Sequence, residues 1–227
     1  MTSLRAEVRE FLRLHFNNIQ LEAPLLSKSL YGLRFDLQVG EVGTEEYFKE
    51  CVCRATEIFE QVFDEKDNVI LYLTDFKWKK RKLRFSNYCF RTIAGLAKNE
   101  IEYQTLKNRY GTSDITNVAL IKILRNRISH TDIFQAIANK DFSRSPGLDQ
   151  YGFLGSKQIY LINLDKRIIF HMYDDRGLDI IADNRDTLMP IYSKFKDWFL
   201  EFNHSKIKEI FSKGENGKLL NNCRQNN

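Results

Sequence analysis

The first third of the chain switches between the apolar spacing of a helix and that of a strand. Residues 4–19 carry apolar side chains three and four positions apart, with charges between them, which predicts an amphipathic helix. Residues 33–37 alternate apolar and polar side chains, as a strand does. Thr44 and the two glutamates after it predict the start of a second helix, over residues 45–63. Residues 68–76 are rich in β-branched and aromatic side chains and predict a buried strand.

The middle of the chain gives weaker signals. The elements predicted for residues 33–76 follow the order strand, helix, strand. This order suggests a βαβ-like unit, or an antiparallel unit with the same order. The pattern over residues 85–110 is ambiguous, whereas residues 118–128 predict a strand and Thr131 predicts the cap of a short helix. Residues 143–155 contain one proline and three glycines, so they predict a surface loop and a candidate internal boundary.

The last third predicts a hairpin-rich sheet that is closed by a helix. Its three predicted strands cover residues 158–164, 167–173 and 178–182. Either Asp183 or Asn184 is expected to cap a long amphipathic helix over residues 184–203. Trp198 and Phe202 lie on the apolar stripe of that helix, which predicts that both side chains are buried against the sheet.

These elements together predict the fold class. We expect an α/β or α+β fold with a mixed, largely antiparallel sheet packed by helices, and a C-terminal β-meander followed by a long amphipathic helix. Residues 1–203 are expected to form a single globular domain, and residues 204–227 a polar, frayed tail.

Composition narrows the class of protein, and charge points to one segment. Aromatic residues make up 13% of the 227 residues, which excludes a disordered chain. The net charge is +5, and residues 77–84 alone contribute six cations, so the remainder of the chain has a net charge of −1. A uniformly basic surface, the usual footprint of a nucleic-acid-binding protein, is therefore not indicated.

Residues 77–84, here called the basic segment, are the first candidate site. Its candidate partner-binding residues are Lys77, Trp78, Lys79, Lys80, Arg81, Lys82 and Arg84. Such residues could neutralise phosphates and stack on a base, or they could form a solvated loop or edge strand, and the second interpretation is favoured. The same charges would suit an acidic surface on another protein, with weak, non-specific nucleic-acid binding as a side effect.

Residues 174–177, here called the Asp-Asp-Arg-Gly turn, are the second candidate site. Asp174 and Asp175 could bind a metal or act as acid and base, with Arg176 on a phosphate. The favoured interpretation is structural: the aspartates accept hydrogen bonds within a hairpin corner and Gly177 adopts a positive φ. On that interpretation the chain has no catalytic residue, and no spacing of histidines or cysteines indicates a metal site or any cofactor.

The segment around this turn also resembles a known family. Residues 171–182 resemble the hallmark of an uncharacterised bacterial family, a domain of unknown function common in Bacillus-type bacteria. Residues 33–37, residues 136–142 and the helix from Ile191 to Trp198 fit the same family, so the resemblance spans residues 30–203. It implies no activity, cofactor or catalytic residue, but orphan domains of this kind often lie beside secreted-toxin genes, as immunity proteins do.

Two function hypotheses follow from these patterns. The first is a non-enzymatic intracellular binding protein, immunity- or antitoxin-like, that acts in the cytoplasm without a membrane, since no secretory signal or membrane-spanning apolar run occurs. The alternative is a nucleic-acid-acting protein or nuclease that places the basic segment on phosphate and the aspartates of the Asp-Asp-Arg-Gly turn on a metal. A large separation between the two candidate sites would weaken the alternative.

Overall fold

The computed structural model describes residues 3–77, 79–107, 114–148 and 156–212. Its centre is a seven-stranded sheet in the order β1-β7-β6-β5-β2-β4-β3, in which every pair of neighbouring strands is antiparallel. The strands are β1 (Tyr31–Asp36), β2 (Asn68–Lys77), β3 (Ile101–Lys107), β4 (Ile115–Leu124), β5 (Lys157–Asn163), β6 (Ile168–Asp174) and β7 (Gly177–Ala182). The helices are α1 (Leu4–His15), α2 (Glu45–Val62), α3 (Tyr88–Arg91), α4 (His130–Ala138), α5 (Arg185–Lys194) and α6 (Glu201–Ser212).

The helices cover both faces of this sheet, so the predicted α+β fold with a largely antiparallel sheet is confirmed. On one face, the buried Phe11 and Leu12 of α1 pack among Tyr72 and Tyr160. On the other face, aromatic rings of α2, α4 and β6 meet in the larger core. In the described part of the chain, no helix is both long and apolar enough to cross a bilayer.

Local capping explains where the helices begin. The Thr44 hydroxyl accepts from the Tyr47 amide at 3.2 Å, as the sequence predicts for α2. Of the two predicted caps for α5, Asn184 is the one used, because its side chain accepts from the Thr187 amide at 2.9 Å. Helix α4 begins earlier than predicted, with Ser129 rather than Thr131 at its N-cap.

The predicted strand–helix–strand unit is present, but its strands are not neighbours. Strands β1 and β2 run in the same direction, because four antiparallel steps separate them in the sheet. Strands β7, β6 and β5, which form the predicted C-terminal meander, lie between them. The ambiguous stretch before β4 resolves into the short helix α3 and the edge strand β3.

The prediction of one long helix over residues 184–203 is wrong. Helix α5 ends at Lys194 and a 3₁₀ turn follows. The apolar residues before and after this break therefore do not share one helix face, as the prediction required. Trp198 is consequently half-buried, against the Phe195 ring at 4.9 Å and under the Arg54 guanidinium at 4.8 Å. Phe202, which was predicted to be buried, is 95% exposed.

The folded part of the chain also continues past the predicted end of the domain. Helix α6 reaches Ser212, and its Ile207 and Phe211 are buried, so residues 204–212 are not the frayed segment that the sequence predicted. The rest of that predicted tail lies outside the described residues. Residues 149–155 also lie outside them, so the internal boundary over 143–155 and the single domain stay predictions.

Candidate functional site

The Asp-Asp-Arg-Gly turn joins β6 to β7, and its first aspartate holds the turn together. The Asp174 carboxylate accepts from the Arg176 backbone amide at 2.8 Å and from the Arg176 Nε at 3.0 Å. A second guanidinium nitrogen, Nη2, also donates to the same carboxylate. These charge-assisted bonds raise the pKa of Arg176 further above its ordinary value. The predicted pairing of an aspartate with Arg176 is therefore confirmed.

Gly177 does not have the positive φ that was predicted for it. Glycine is required here for a different reason, which is the close approach of neighbouring atoms. A Cβ at this position would lie 2.6 Å from the Phe35 carbonyl oxygen of β1 and would collide with the Tyr173 hydroxyl. Gly177 thus allows β1, β7 and the Tyr173 ring to pack at the edge of the sheet.

Replacing Gly177 by alanine is expected to lower the free energy of unfolding by about 1–3 kcal/mol, the usual range for overpacking. The loss should increase from alanine to valine, because the conflict is with the size of the side chain. Urea denaturation of the parent protein and the two variants measures it. An unchanged stability in Gly177→Ala would show that β1 can move away from β7 at no cost.

Asp175, the second aspartate of the turn, is buried against the first turn of α2. Its carboxylate accepts from the Tyr47 hydroxyl, which in turn accepts from the Gln38 side-chain amide at 3.1 Å. Cys51 donates to the Asp175 carbonyl oxygen at 3.3 Å. Burial raises the pKa of Asp175, although the bond from Tyr47 opposes that shift. The second aspartate is therefore also part of the packing, but its partner is Tyr47 of α2 and not a group within the hairpin corner, where the structural interpretation placed it.

A third carboxylate approaches these two. One oxygen each of Asp141, Asp174 and Asp175 lies within 4.8 Å of the others, a spacing that could hold a cation. However, Asp174 already accepts from Arg176 and Asp175 from Tyr47, so a cation would compete with both donors. The Lys140 ammonium, which donates to the Tyr173 carbonyl oxygen at 3.2 Å, adds a positive charge to the same region.

The basic segment is less positive than its sequence suggests, because a buried acid neutralises part of it. Asp75 is 1% exposed, and its carboxylate lies 2.9 Å from an Arg81 Nη2 and 3.6 Å from the Lys77 Nζ. The Ser156 hydroxyl donates to the same carboxylate at 2.7 Å. The sequence pattern did not indicate this partner, which lies two residues before the segment and on the same face of β2 as Lys77.

All described cations of the basic segment except Lys77 are exposed, on a backbone that the sheet holds in place. Asn117 of β4, which is fully buried, accepts from the Arg81 amide at 2.8 Å and donates to the Lys79 carbonyl oxygen at 3.0 Å. The exposed cations of the segment are Lys79, Lys80, Arg81, Lys82 and Arg84. Trp78 lies outside the described residues.

The two candidate sites lie at the same end of the sheet. Strands β2 and β6 run in the same direction, with β5 between them, and each leads into one of the sites at its C-terminal end. Two interstrand spacings amount to about 10 Å across the sheet. The separation that would have weakened the nuclease hypothesis is therefore not observed.

A buried polar cluster, which the sequence pattern did not predict, lies on the α1 face of the sheet. The Asp179 carboxylate is fully buried and accepts two bonds from the Arg34 guanidinium, at 2.6 and 2.7 Å. It also accepts from the amides of Leu25 and Leu26, at 2.9 and 3.2 Å. Through these bonds the carboxylate connects the segment after α1, at Leu25 and Leu26, to strand β7. Charged residues inside the two predicted strands were the only signal of it in the sequence.

Close by, the fully buried His171 ring stacks on Tyr160 with ring centroids 4.2 Å apart. Its Nε2 lies 2.9 Å from the Gln158 side-chain oxygen, whereas its Nδ1 has no partner among the described residues. Burial, reinforced by the positive charges of Lys140 and Arg34, lowers the pKa of His171 to about 3. The ring is therefore neutral at physiological pH and serves as packing.

A groove lies between α1 and the edge strand β3, here called the α1–β3 groove. It encloses about 760 Å³ and is lined by residues of α1, residues 18–21, Tyr72 and residues 104–107. Apolar side chains such as Val8 and Leu12 form its floor. The charged residues that line it are Arg5, Arg9 and Lys107, and no acid is among the lining residues.

Comparisons with known proteins agree with the resemblance seen in the sequence. A family model described as "Domain of unknown function (DUF3885)" matches residues 8–203. The chain is 24% identical over 207 residues to a protein of Bacillus subtilis (strain 168) described as "Uncharacterized protein YnaE", a match that covers 85% of this chain and 96% of that protein. No solved structure matches the chain. The predicted resemblance to an uncharacterised bacterial family is thus confirmed.

Proposed function

Because this chain belongs to the DUF3885 family, whose description names no activity, we propose its function from its own residues. We propose that the chain is a non-enzymatic, cytoplasmic binding protein whose basic segment contacts an acidic surface on a partner protein. An immunity protein, which neutralises a toxin by binding it, is one protein of this kind. The thiols of Cys51, Cys53 and Cys89 are free, which suits a reducing compartment.

The proposal depends on one observation. The buried Asn117 side chain forms hydrogen bonds with the backbone of both Lys79 and Arg81. Exposed lysines on a free loop would lose conformational freedom on binding, and that loss would weaken the complex. Here the buried amide fixes the backbone beforehand, so the cations beside it are presented in a defined arrangement. A preorganised charged surface of this type favours specific recognition and a fast association rate.

An acidic protein surface fits this segment better than a nucleic acid does. Asp75 offsets Lys77 and Arg81, and the chain outside the basic segment has a net charge of −1. The few remaining cations can neutralise only a few phosphates, so nucleic-acid binding should be weak, indifferent to sequence and steeply salt-dependent.

Neutralising the exposed lysines of the basic segment is expected to weaken the binding of the partner protein. We expect the triple variant Lys79→Gln/Lys80→Gln/Lys82→Gln to bind about 3- to 150-fold more weakly, because each exposed charge pair contributes about 0.2–1 kcal/mol. Its matched control is a triple glutamine variant at exposed lysines away from the segment, namely Lys49, Lys66 and Lys206.

The measurement has two steps. The full chain, the triple variant and the control capture proteins from a lysate of the native cell that has been treated with nuclease, and mass spectrometry identifies them. The purified candidate is then titrated against all three chains by calorimetry. Equal affinity for the triple variant, or a capture that nuclease treatment abolishes, would contradict the proposal.

The nuclease hypothesis remains the second candidate, because both candidate sites lie at one end of the sheet and three carboxylates converge there. Under that hypothesis Mg²⁺ should stabilise the parent protein in scanning calorimetry, and Asp174→Asn should abolish the stabilisation. Under the proposed function Mg²⁺ leaves the unfolding temperature unchanged, and Asp174→Asn lowers it modestly through the weaker bonds to Arg176.

A further inference from the structure

Strand β3 forms an edge of the sheet that the rest of the described chain leaves open. It pairs with β4 through seven consecutive residues without a register shift, and no described strand pairs with its outer side. Its sequence, Ile101–Lys107, contains no proline. Proteins commonly protect such edges with prolines, bulges or a covering element, because an open edge accepts a strand from another chain.

The α1–β3 groove runs along this edge. Four consecutive residues of the strand, 104–107, line it. Successive side chains of a strand point to opposite faces, so a cavity that meets four residues in a row also contacts main-chain atoms of the strand. The groove therefore offers main-chain groups beside an apolar floor. Its volume of about 760 Å³ suffices for several side chains of a bound segment.

Cations flank the β3 edge on both faces of the sheet. On the α1 face, Arg9 is exposed at the groove, whereas the neighbouring Arg5 is already paired with Glu102 at 2.7 Å. On the other face, the Lys82 ammonium of the basic segment lies 5.5 Å from the centre of the Tyr103 ring of β3. An added strand would therefore find a positive charge on either side of it.

We propose that the partner binds by adding an extended, acidic segment to the outer edge of β3. Main-chain hydrogen bonds to β3 supply a part of the affinity that is independent of sequence. Side chains on one side of the added strand enter the α1–β3 groove and meet Arg9, and acidic side chains on the other side meet Lys82. The acidic character of the segment rests on the proposed function, whereas the strand addition rests on the open edge.

A synthetic peptide of the repeat Glu-Glu-Val-Val, blocked at both ends, is the probe, because an extended strand of this sequence presents glutamate and valine on both of its faces. It is titrated into the ¹⁵N-labelled full chain, and amide chemical shifts are followed by NMR. We expect shifts in residues 101–107 and around the groove, together with peptide-to-β3 amide contacts. Methylating alternate peptide nitrogens so that they cannot donate to β3 should abolish these shifts, whereas an oligothymidylate of equal charge should leave β3 unperturbed.

A pair of variants tests the groove without disturbing the core. Arg9→Gln should weaken peptide binding by up to about fivefold, the upper end of the range for one exposed charge pair. Arg13→Gln on the same helix removes an equal charge that is paired with Glu10 rather than placed at the groove, and should leave binding unchanged.

The possible outcomes separate this inference from the proposed function. Shifts confined to residues 79–84 would overturn strand addition and leave the acidic partner standing. Shifts in β3 that are equal for a lysine–valine peptide would support strand addition and overturn the acidic partner. The absence of any shift at millimolar peptide would overturn both.

Discussion

Replacing Arg34 by methionine is expected to lower the free energy of unfolding by about 3–5 kcal/mol, because it leaves the Asp179 carboxylate buried without its counter-charge. Asp179 has no exposed surface, and the guanidinium supplies two of the four hydrogen bonds that it accepts. The Arg34 guanidinium also lies 5.7 Å from the centre of the Tyr173 ring, so methionine loses that contact as well.

Urea denaturation of parent and variant measures this loss, and a charge-matched variant serves as control. Arg13→Met breaks a pair with Glu10 in which both side chains are more than half exposed and screened by solvent, so its unfolding curve should nearly coincide with that of the parent. A second variant, Arg34→Met/Asp179→Asn, should recover part of the loss, because the neutral amide no longer needs a counter-charge. Equal stability of Arg34→Met and the parent would show that water reaches Asp179.

The fold was largely predictable because its elements follow local rules. The cap at Thr44 and the alternation over residues 33–37 each depend on a few adjacent side chains, and the structure reproduces both. The break after Lys194 is different, because the apolar spacing runs through it without interruption. There the bridge between Phe35 and Phe199 holds the chain against β1, and that contact joins residues far apart in sequence.

The sequence indicated which two segments were candidate sites, but it did not reveal the contacts that determine their charge and shape. The basic segment stood out, yet its electrostatics depend on Asp75 of β2 and its shape on Asn117 of β4. Gly177 was singled out correctly, but for its φ rather than for the carbonyl of Phe35, which belongs to another strand. Pairings across strands set these properties, and a single sequence does not reveal which residues face each other.

Lowering the pH is expected to destabilise the protein through His171, and replacing this histidine should remove that contribution. Its pKa falls from 6.5 to about 3 in the folded protein, chiefly because burial disfavours the charged ring. Between these values the unfolded chain binds a proton that the folded protein does not. The free energy of unfolding therefore decreases as the pH falls through this window, by about 2 kcal/mol at pH 5 and about 3 kcal/mol at pH 4.

The variant His171→Phe isolates this contribution from that of the carboxylates, which titrate in the same range. Phenylalanine keeps the stacking on Tyr160, and the half-buried Gln158 amide can turn to water. Urea denaturation at pH 7, 5 and 4 measures the free energy of unfolding of both proteins. Relative to pH 7, the variant should gain stability over the parent by about 2 kcal/mol at pH 5 and about 3 kcal/mol at pH 4. A difference that does not change with pH would mean that His171 takes up a proton in the folded state, with solvent reaching its Nδ1, which has no partner within the described part of the chain.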